Sequence, residues 1–582
     1  MTTAAPPRDA DAPRVALTPR KRRRWAPPLA GALCALVGLG DIGSAVSRND
    51  HARLHALVGH VPGTLRSASA AGTLVTGILL LLLARALRRR KRRAWLAVTV
   101  LLASSVVLHL LKGLDIAAAV TAALLLLLLA LREEFYARGD PRTRWRAVAA
   151  GLTLLSLSTV LGVAIVELRR GELASPNRPT AVLEHVVVGL VGVDGPLEWR
   201  PTPRGKRTDN LVGDCLLALG LLTAVTTTYL VLRPAEPQSV LSDADEDRMR
   251  ELLVRHGARD SLGYFALRRD KSVIWSPSGK ACVSYRVVSG VMLASGDPLG
   301  DPEAWPGAID AFMTEADVHA WVPAVMGCSE TAGTAWARAG LDVLEIGDEA
   351  VVDVADFSLE GRPMRNVRQA VNRVERAGYT VAIRRVGDIP EQERLSLQAQ
   401  ADAWRGAETE RGFSMALGRF GDPKDQNCVA VLAFQEGQLR AFLHFVPWGK
   451  DGLSLDLMRR DRTADNGLNE LLIVKALQEA PALGITRLSL NFAVFRSSLE
   501  RGERLGAGPI LRAWRGLLVF ASRWFQIESL YRFNAKFHPV WEPRYVCFPA
   551  TSSLPRVAVA ALEAEAFLVW PVLRLPWNRK RA

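Results

Sequence analysis

Asp456 and Arg459, in the segment LSLDLMRR, are the pair best suited to chemistry. Alternation along a strand sends Leu455 and Leu457 to one face and Asp456 with Met458 to the other. Near a strand's end, such a carboxylate is placed to hold a substrate ammonium, and such a guanidinium a phosphate or carboxylate. The competing reading is a local ion pair. Upstream, GFSMALGR sets Ser414 between Phe413 and Met415 and ends at Arg419, as a loop lining a substrate would. Ser414 lacks a GxSxG context and a nearby histidine, which argues against a covalent serine nucleophile. Downstream, FRSSLERGERLGAG and SLYRFNAKFHPVWEPRYV mix Arg496, Arg532 and Lys536 with asparagine and aromatic residues. Lys536, between Asn534 and Phe537, is placed to neutralise phosphate or steady a developing oxyanion, with surface snorkelling as the alternative.

These residues need a scaffold of short strands and amphipathic helices, which begins near residue 238. ACVSYRVV and VMLASG predict a hairpin, residues 303–315 a helix, HAWVPAVMG a strand, ETAGTAWARAG a helix and LDVLEIG a strand. The pattern returns with YTVAIRRV, a helix around 390–404, the hairpin NCVAVLAFQEGQLRAFLHFVPWG, the strand LSLDLMRR, a helix at 467–481 and the strand RLSLNFA. Two similar acyltransferase-like lobes in tandem are the economical expectation. After LSLDLMRR, the turn RTADNGLNELL sits where GNAT-type acetyltransferases cradle coenzyme A pyrophosphate at a helix N-terminus. A single glycine, Gly467, and the acidic Asp465 disfavour that cofactor.

Between the lobes, RPMRNVRQAVNRVERAGY sets Arg362, Arg365, Arg368, Arg373 and Arg376 within an arc of about 140° on a helical wheel, opposite Val367, Ala370, Val371 and Val374. A solvated face normally mixes signs, so this row points to an anionic partner such as tRNA phosphates or lipid headgroups.

The first 237 residues differ in kind: they hold 31 Lys and Arg against 16 Asp and Glu, whereas the remainder holds 43 of each. The net charge of +15 therefore belongs to a membrane half and carries no nucleic-acid argument. Apolar runs at 25–46, 67–87, 94–112, 114–131, 146–167 and 211–232 predict six spans. Basic clusters at 21–24, 88–93 and 138–146 share one side, which places both termini and everything after residue 233 in the cytoplasm. The loop 168–210 carries seven basic residues and a stretch, VVVGLVGV, expected at the membrane interface. The N-terminal segment reads as an anchor rather than a cleaved signal. Six scattered cysteines without a CxxC pair and nine histidines without HExxH predict neither a disulfide framework nor a metal site.

The strings ERGFSMALGR, FVPWGKDGLSLDLMRRD, SLNFAVFR and QIESLYRFNAKFHPVWEPRY resemble the C-terminal synthase domain of bacterial phosphatidylglycerol lysyltransferases, the multiple peptide resistance factor family, over roughly residues 250–570. The expected fold is an α-helical membrane domain of six spans, read from the apolar runs, plus an α+β cytoplasmic domain of two tandem GNAT-like lobes, which the resemblance implies. The expected boundaries are a basic segment at 1–24, the membrane domain at 25–232, a linker at 233–250, lobes at 251–360 and 379–570, the basic helix at 361–378 and a basic tail at 571–582. The resemblance implies transfer of an aminoacyl group, lysyl first among them, from aminoacyl-tRNA to phosphatidylglycerol, altering membrane charge and resisting cationic peptides, with no cofactor and no metal. Asp456 and Arg459 match the family's DxxR pair, Lys536 its late lysine, and Glu349, in IGDEAVVD, an acidic residue beside the substrate. Ser414, Arg419, Asn491, Arg496, Arg532, Arg362, Arg365 and Arg368 are assigned to substrate binding. Full-length members carry a longer membrane part with a flippase module, so six spans leave flipping open; without an appended lysyl-tRNA synthetase segment, charged tRNA is expected from other enzymes. The rivals are a peptidoglycan-bridge aminoacyltransferase and a non-enzymatic membrane scaffold or transporter in which Asp41 would matter.

The basic clusters generate a direct test of orientation. Reporter fusions at about residue 190 and at the C-terminus are expected on opposite sides of the membrane.

Overall fold

The computed structural model describes residues 25–46, 63–88, 90–112, 116–135, 141–174, 178–232, 237, 239–406, 412–494 and 527–568. The chain divides near Ala235 into two compact units. In the first, each of the six apolar runs falls in a helix: α1 (Ala26–Val46), α2 (Gly63–Arg88), α3 (Arg92–Lys112), α4 (Ile116–Ala130), α5 (Pro141–Leu168) and α7 (Pro203–Leu232). Among the described residues, Val148–Leu168 and Pro203–Val231 are long and apolar enough to cross a membrane, while Ala26–Ile42 and Val120–Ala130 are apolar but shorter. Helices α1 and α2 pack backbone to backbone at two glycines, since a Cβ on Gly77 would lie 2.6 Å from the Gly38 carbonyl oxygen. The long loop contains a further helix, α6 (Pro179–Gly189). Its Val182 and Val186 bury against Val166 of α5 and Val212 and Leu216 of α7, so part of VVVGLVGV packs inside the unit.

The second unit is built on one mixed sheet of 12 strands. Strands β1 (Ser272–Trp275), β2 (Ala281–Val288), β3 (Val291–Ser295), β4 (Leu299–Gly300), β5 (Val322–Cys328) and β6 (Asp342–Asp353) precede the basic helix. Strands β7 (Tyr379–Arg385), β8 (Val429–Gln435), β9 (Gln438–Trp448), β10 (Gly452–Arg460), β11 (Arg487–Val494) and β12 (Val540–Phe548) follow it. Their order is β1-β2-β3-β5-β12-β6-β11-β10-β9-β8-β7, with β4 beside β2. Each lobe contains one parallel pair, β3 with β5 and β10 with β11.

This order corrects the picture of two lobes simply in tandem. The last described strand, β12, inserts between β5 and β6 of the first lobe, and β6 pairs on its other edge with β11 of the second. The helix that follows β12, α15 (Leu554–Ala564), also packs on the first lobe, with Val557 and Ala560 against Val291 and Leu293 in a core that spans both lobes. The boundary at residue 360 thus separates sequence repeats, not independent domains. On the opposite face the core is split in two. Helices α9 (Trp305–His319) and α10 (Glu330–Arg338) cover the first lobe. Helices α11 (Arg365–Arg376) and α13 (Leu468–Glu479) cover the second, while α12 (Glu391–Arg405) contributes Leu397 and Ala401 to the core shared by both lobes.

Local signals place these helices. Ser329 caps α10 by accepting from the Ala332 amide at 3.2 Å, and Ser242 caps α8 (Asp243–His256) through the Asp245 amide at 3.1 Å. Val367, Val371 and Val374 bury the apolar stripe of α11, as the wheel requires, leaving Arg365, Arg373 and Arg376 exposed. Gly467 starts α13 at φ +102°, and a Cβ there would come within 3.2 Å of Ala370 on α11. Only glycine combines that backbone with that approach.

The seam is held by Arg544 of β12, fully buried. Its Nη1 donates to Asp260 Oδ1 at 2.7 Å, its Nε to Glu349 Oε2 at 2.9 Å, and its Nη2 to Ser261 Oγ at 2.7 Å. Replacing it with alanine strands buried carboxylates, so Arg544→Ala is expected to cost about 3–5 kcal/mol in denaturant unfolding of the second unit. Arg544→Lys should recover only part, because an ammonium cannot reproduce the planar fork.

Candidate active site

The parallel pair β10 and β11 is in register over Gly452–Ser454 and Arg487–Ser489 and then parts. Beyond that point β10 follows β9, with a bulge between Leu455 and Leu457, and β11 follows β6, with a bulge between Ser489 and Phe492. Each extra residue bends its strand and increases the local twist just where the pair parts. Asn491 sits in the bulge of β11 at φ +72°, and its Nδ2 donates to the carbonyls of Leu455 and Met415, both at 3.0 Å. The amide therefore ties together both diverging strands and the loop laid over them.

Asp456 occupies the other bulge, with its side chain only 3% exposed. Oδ1 accepts from the Leu417 amide at 2.6 Å, and Oδ2 lies 2.7 Å from His444 Nδ1 on β9. Both oxygens are engaged, which corrects the expectation of a carboxylate open to a substrate ammonium. Arg459, three residues on, is half-buried.

The segment 412–420 closes this face of the sheet and is held at several points. The Phe413 and Ser414 amides donate to the two carboxylate oxygens of Glu565, at 2.5 and 3.0 Å, and Ser414 Oγ donates to Oε1 at 2.6 Å. Ser414 is fully buried, so it anchors the loop instead of lining a cavity. Arg268 donates to the Gly412 carbonyl from below. Arg419 is spent as well: Nε donates to Asp425 at 2.7 Å and Nη2 to Glu246 at 2.9 Å, both partners being buried. Paired with Arg250, this network explains why Asp425 is held below the usual carboxylate range despite its burial.

Beneath Phe413 lies Lys271, wholly buried, donating to the Phe265 carbonyl at 2.9 Å and to Ser295 Oγ at 2.8 Å, with Nζ 4.6 Å from the Phe413 ring centre. Burial, reinforced by the neighbouring Arg268 cation, pushes its amine down to about 7.

Glu349 is also buried, but in the seam: Oε1 accepts from Ser261 and Ser489, and Oε2 from Arg544. Asp297 adjoins this cluster, and burial together with Asp260 raises its carboxyl to about 7. Glu349 is linked toward the splayed strands through Ser489, whose Oγ also accepts from the Asn491 amide at 3.1 Å. Lys536 lies apart from both Glu349 and Asp456, exposed and paired with Glu470 at 2.8 Å. Arg532 is exposed in the last turn of α14 (Ile527–Ala535), and Arg496 lies outside the described residues. In the arginine row, Arg362 and Arg365 are exposed, Arg368 donates to the carbonyls of Leu359 and Gly361, and Arg373 donates to Asn466 at 2.7 Å, beside the Gly467 turn.

Sequence reasoning missed His444, Lys271, Glu565 and Arg544. For His444 a signal existed, because pairing the hairpin about its KDG turn sets His444 opposite Leu457, next to Asp456. Glu565 stands 151 residues from Ser414 and offered none.

Residues 250–548 match the family model described as phosphatidylglycerol lysyltransferase, C-terminal, and residues 22–229 match the transmembrane region of lysyl-tRNA synthetase. The lysylphosphatidylglycerol biosynthesis bifunctional protein LysX of Rhodococcus opacus is 48% identical over 443 residues, covering 76% of this chain and 39% of that protein. The protein of the same name from Mycobacterium tuberculosis is 48% identical over 442 residues, covering 76% of this chain and 37% of its own length. The chain thus spans about two fifths of these relatives. Among solved structures, L-PGS from Bacillus licheniformis matches with a TM-score of 0.50 at 22% identity, over 57% of this chain and 99% of that one, a likeness of fold.

Lys271 gives a stability test with a definite sign. Charging this amine costs more in the folded chain than in the unfolded one, so the stability it contributes is fully present above the ordinary lysine value of 10.5 and is lost as pH falls toward 7. Wild type is therefore expected to gain thermal stability over Lys271→Met as pH rises from 7 to 10.5, read by tryptophan fluorescence of the detergent-solubilised chain.

Proposed function

The chain belongs to the phosphatidylglycerol lysyltransferase family through its C-terminal domain, and from that premise we propose that it moves a lysyl group from aminoacyl-tRNA to the glycerol headgroup of phosphatidylglycerol. The observation that supports the reading is the parting of β10 from β11 beside Asp456 and Arg459, where this reading puts the acyl group. The donor is already an ester and so is the product, so the exchange is close to isoenergetic and needs no nucleotide. What remains for the protein is to bring the two substrates together and to stabilise charge at the reacting carbonyl.

The two substrates are both polyanions or anions, and the second unit offers them cations at separate places. The exposed Arg362 and Arg365 stand just before and at the start of α11, a position suited to tRNA phosphates, while Arg459 shares β10 with Asp456, nearer the reacting groups in this reading. Glu349 acts at one remove, by holding Ser489 and with it the bulge at Asn491. Six spans with the second unit in the cytoplasm, joined through residues 233–242, would hold it at the leaflet that supplies the lipid. Replacing an anionic headgroup by one carrying two ammonium groups lowers the negative surface potential, which weakens the attraction of cationic peptides.

Purified full-length chain, given radiolabelled lysyl-tRNA and phosphatidylglycerol vesicles, is expected to yield lysyl-lipid on thin-layer chromatography; transfer only to a peptidoglycan precursor would overturn the reading. Arg362→Glu with Arg365→Glu is expected to leave the fold intact and weaken lysyl-tRNA binding, with the salt slope falling by about 0.7–0.9 for each phosphate that no longer meets a cation. Arg368 is the wrong position for this test because its guanidinium braces the turn before α11.

A further inference from the structure

His444 is fully buried on the same sheet face as Asp456, and one of its ring nitrogens is accounted for while the other is not. Nδ1 lies 2.7 Å from Asp456 Oδ2, and Nε2 is buried without a hydrogen-bond partner among the described residues. In the neutral ring a carboxylate partner fixes Nδ1 as the donor, so Nε2 carries the lone pair, an assignment that follows from the bond rather than from a located hydrogen. Most buried polar atoms have a hydrogen-bond partner, so an orphaned acceptor beside an anchoring carboxylate calls for an explanation. The ring is held on its remaining side by Phe420, edge to face at 5.1 Å and 84°. Asp456 is held in turn by the Leu417 amide. The imidazole is thus oriented from two directions, with its basic nitrogen left over.

We propose that His444 is the proton acceptor of the acyl transfer and that Asp456 is its positioning residue. The inference rests on the lysyl-transfer reading above. In the step, the headgroup hydroxyl loses its proton to Nε2 as its oxygen bonds to the ester carbonyl carbon of lysyl-tRNA. The tetrahedral adduct then expels the terminal ribose oxygen, which takes the same proton back from Nε2. One C–O bond forms, one breaks, and the imidazole ends as it began. Nearby, Arg419 and Asp425 neutralise each other in the 412–425 segment and leave Asp456 as the carboxylate in contact with the ring. Because Leu417 and Phe420 pack over the dyad, the hydroxyl reaches Nε2 by displacing that segment, whose Gly418 and Gly421 stand at φ +71° and +73° and allow the turn to rearrange.

The arrangement makes two different substitutions fail in the same way. His444→Asn keeps an N–H for Asp456 but has no base, and Asp456→Asn keeps the shape but no longer selects the tautomer that leaves Nε2 free. Full-length variants assayed with lysyl-tRNA and phosphatidylglycerol vesicles are expected to lose about 100-fold or more in kcat, with KM for either substrate within about threefold of wild type. A solely structural histidine would instead shift KM and the unfolding temperature together. Wild-type single turnovers, which need no variant to fold, should be slower in deuterium oxide. His444→Asn with wild-type kcat, or single turnovers insensitive to deuterium, overturns the inference while leaving lysyl transfer standing. A wild-type chain that makes no lysyl-lipid overturns both.

Discussion

A single guanidinium joins the two lobes. Arg544 reaches Asp260, 284 residues earlier in the chain, and Glu349, 195 residues earlier, in a place with almost no water to share the charge. A buried ion cluster of this kind is weak evidence for stability, because desolvation offsets most of the attraction. Its effect is selective: any other register of β12 between β5 and β6 would leave two buried carboxylates, Asp260 and Glu349, without their cation and an arginine buried without its partners. Register is otherwise easily slipped in a long mixed sheet, and a slip of one residue would turn every side chain of β12 to the wrong face.

From this seam a chain of hydrogen bonds runs along one face of the sheet. Glu349 holds Ser489, Ser489 accepts from the Asn491 amide, Asn491 bridges to Leu455 and Met415, and the loop carrying Met415 presents the Leu417 amide to Asp456. The residues that resemblance assigns to catalysis are therefore not one cluster around a substrate. Asp456 belongs to the splayed strands, Glu349 to the scaffold that keeps them splayed, and Lys536 to the surface beyond. A loss of function on changing Glu349 would report on that chain of bonds as much as on chemistry.

Local order was legible in the sequence, and partnership was not. Strands of alternating Val, Leu and Phe, the EG and SG turns, and the valine stripe of α11 announced their elements, because period and turn chemistry are local properties. The six apolar runs marked six helices for the same reason. The insertion of β12 had no such signal: EPRYVCF reads as a strand, but nothing in its period names β5 and β6 as neighbours. Ser414 and Arg419 looked like substrate-lining residues because their polarity was visible and their partners, Glu565 and Glu246, were distant in the chain. His444 was hidden in an apolar run, where one histidine among Leu, Phe and Val reads as core.

The position of β12 also sets an order of events during synthesis. When β6 has been made, the ribosome still has 195 residues to add before reaching Phe548, which takes about 10–40 s at ordinary elongation rates. Throughout that interval β5 and β6 flank a vacant slot, each with an unpaired edge able to recruit a stray strand. The first half of the domain is thus translated early and completed late, and its nascent form is the stage at which the chain is most open to aggregation or to help from a chaperone.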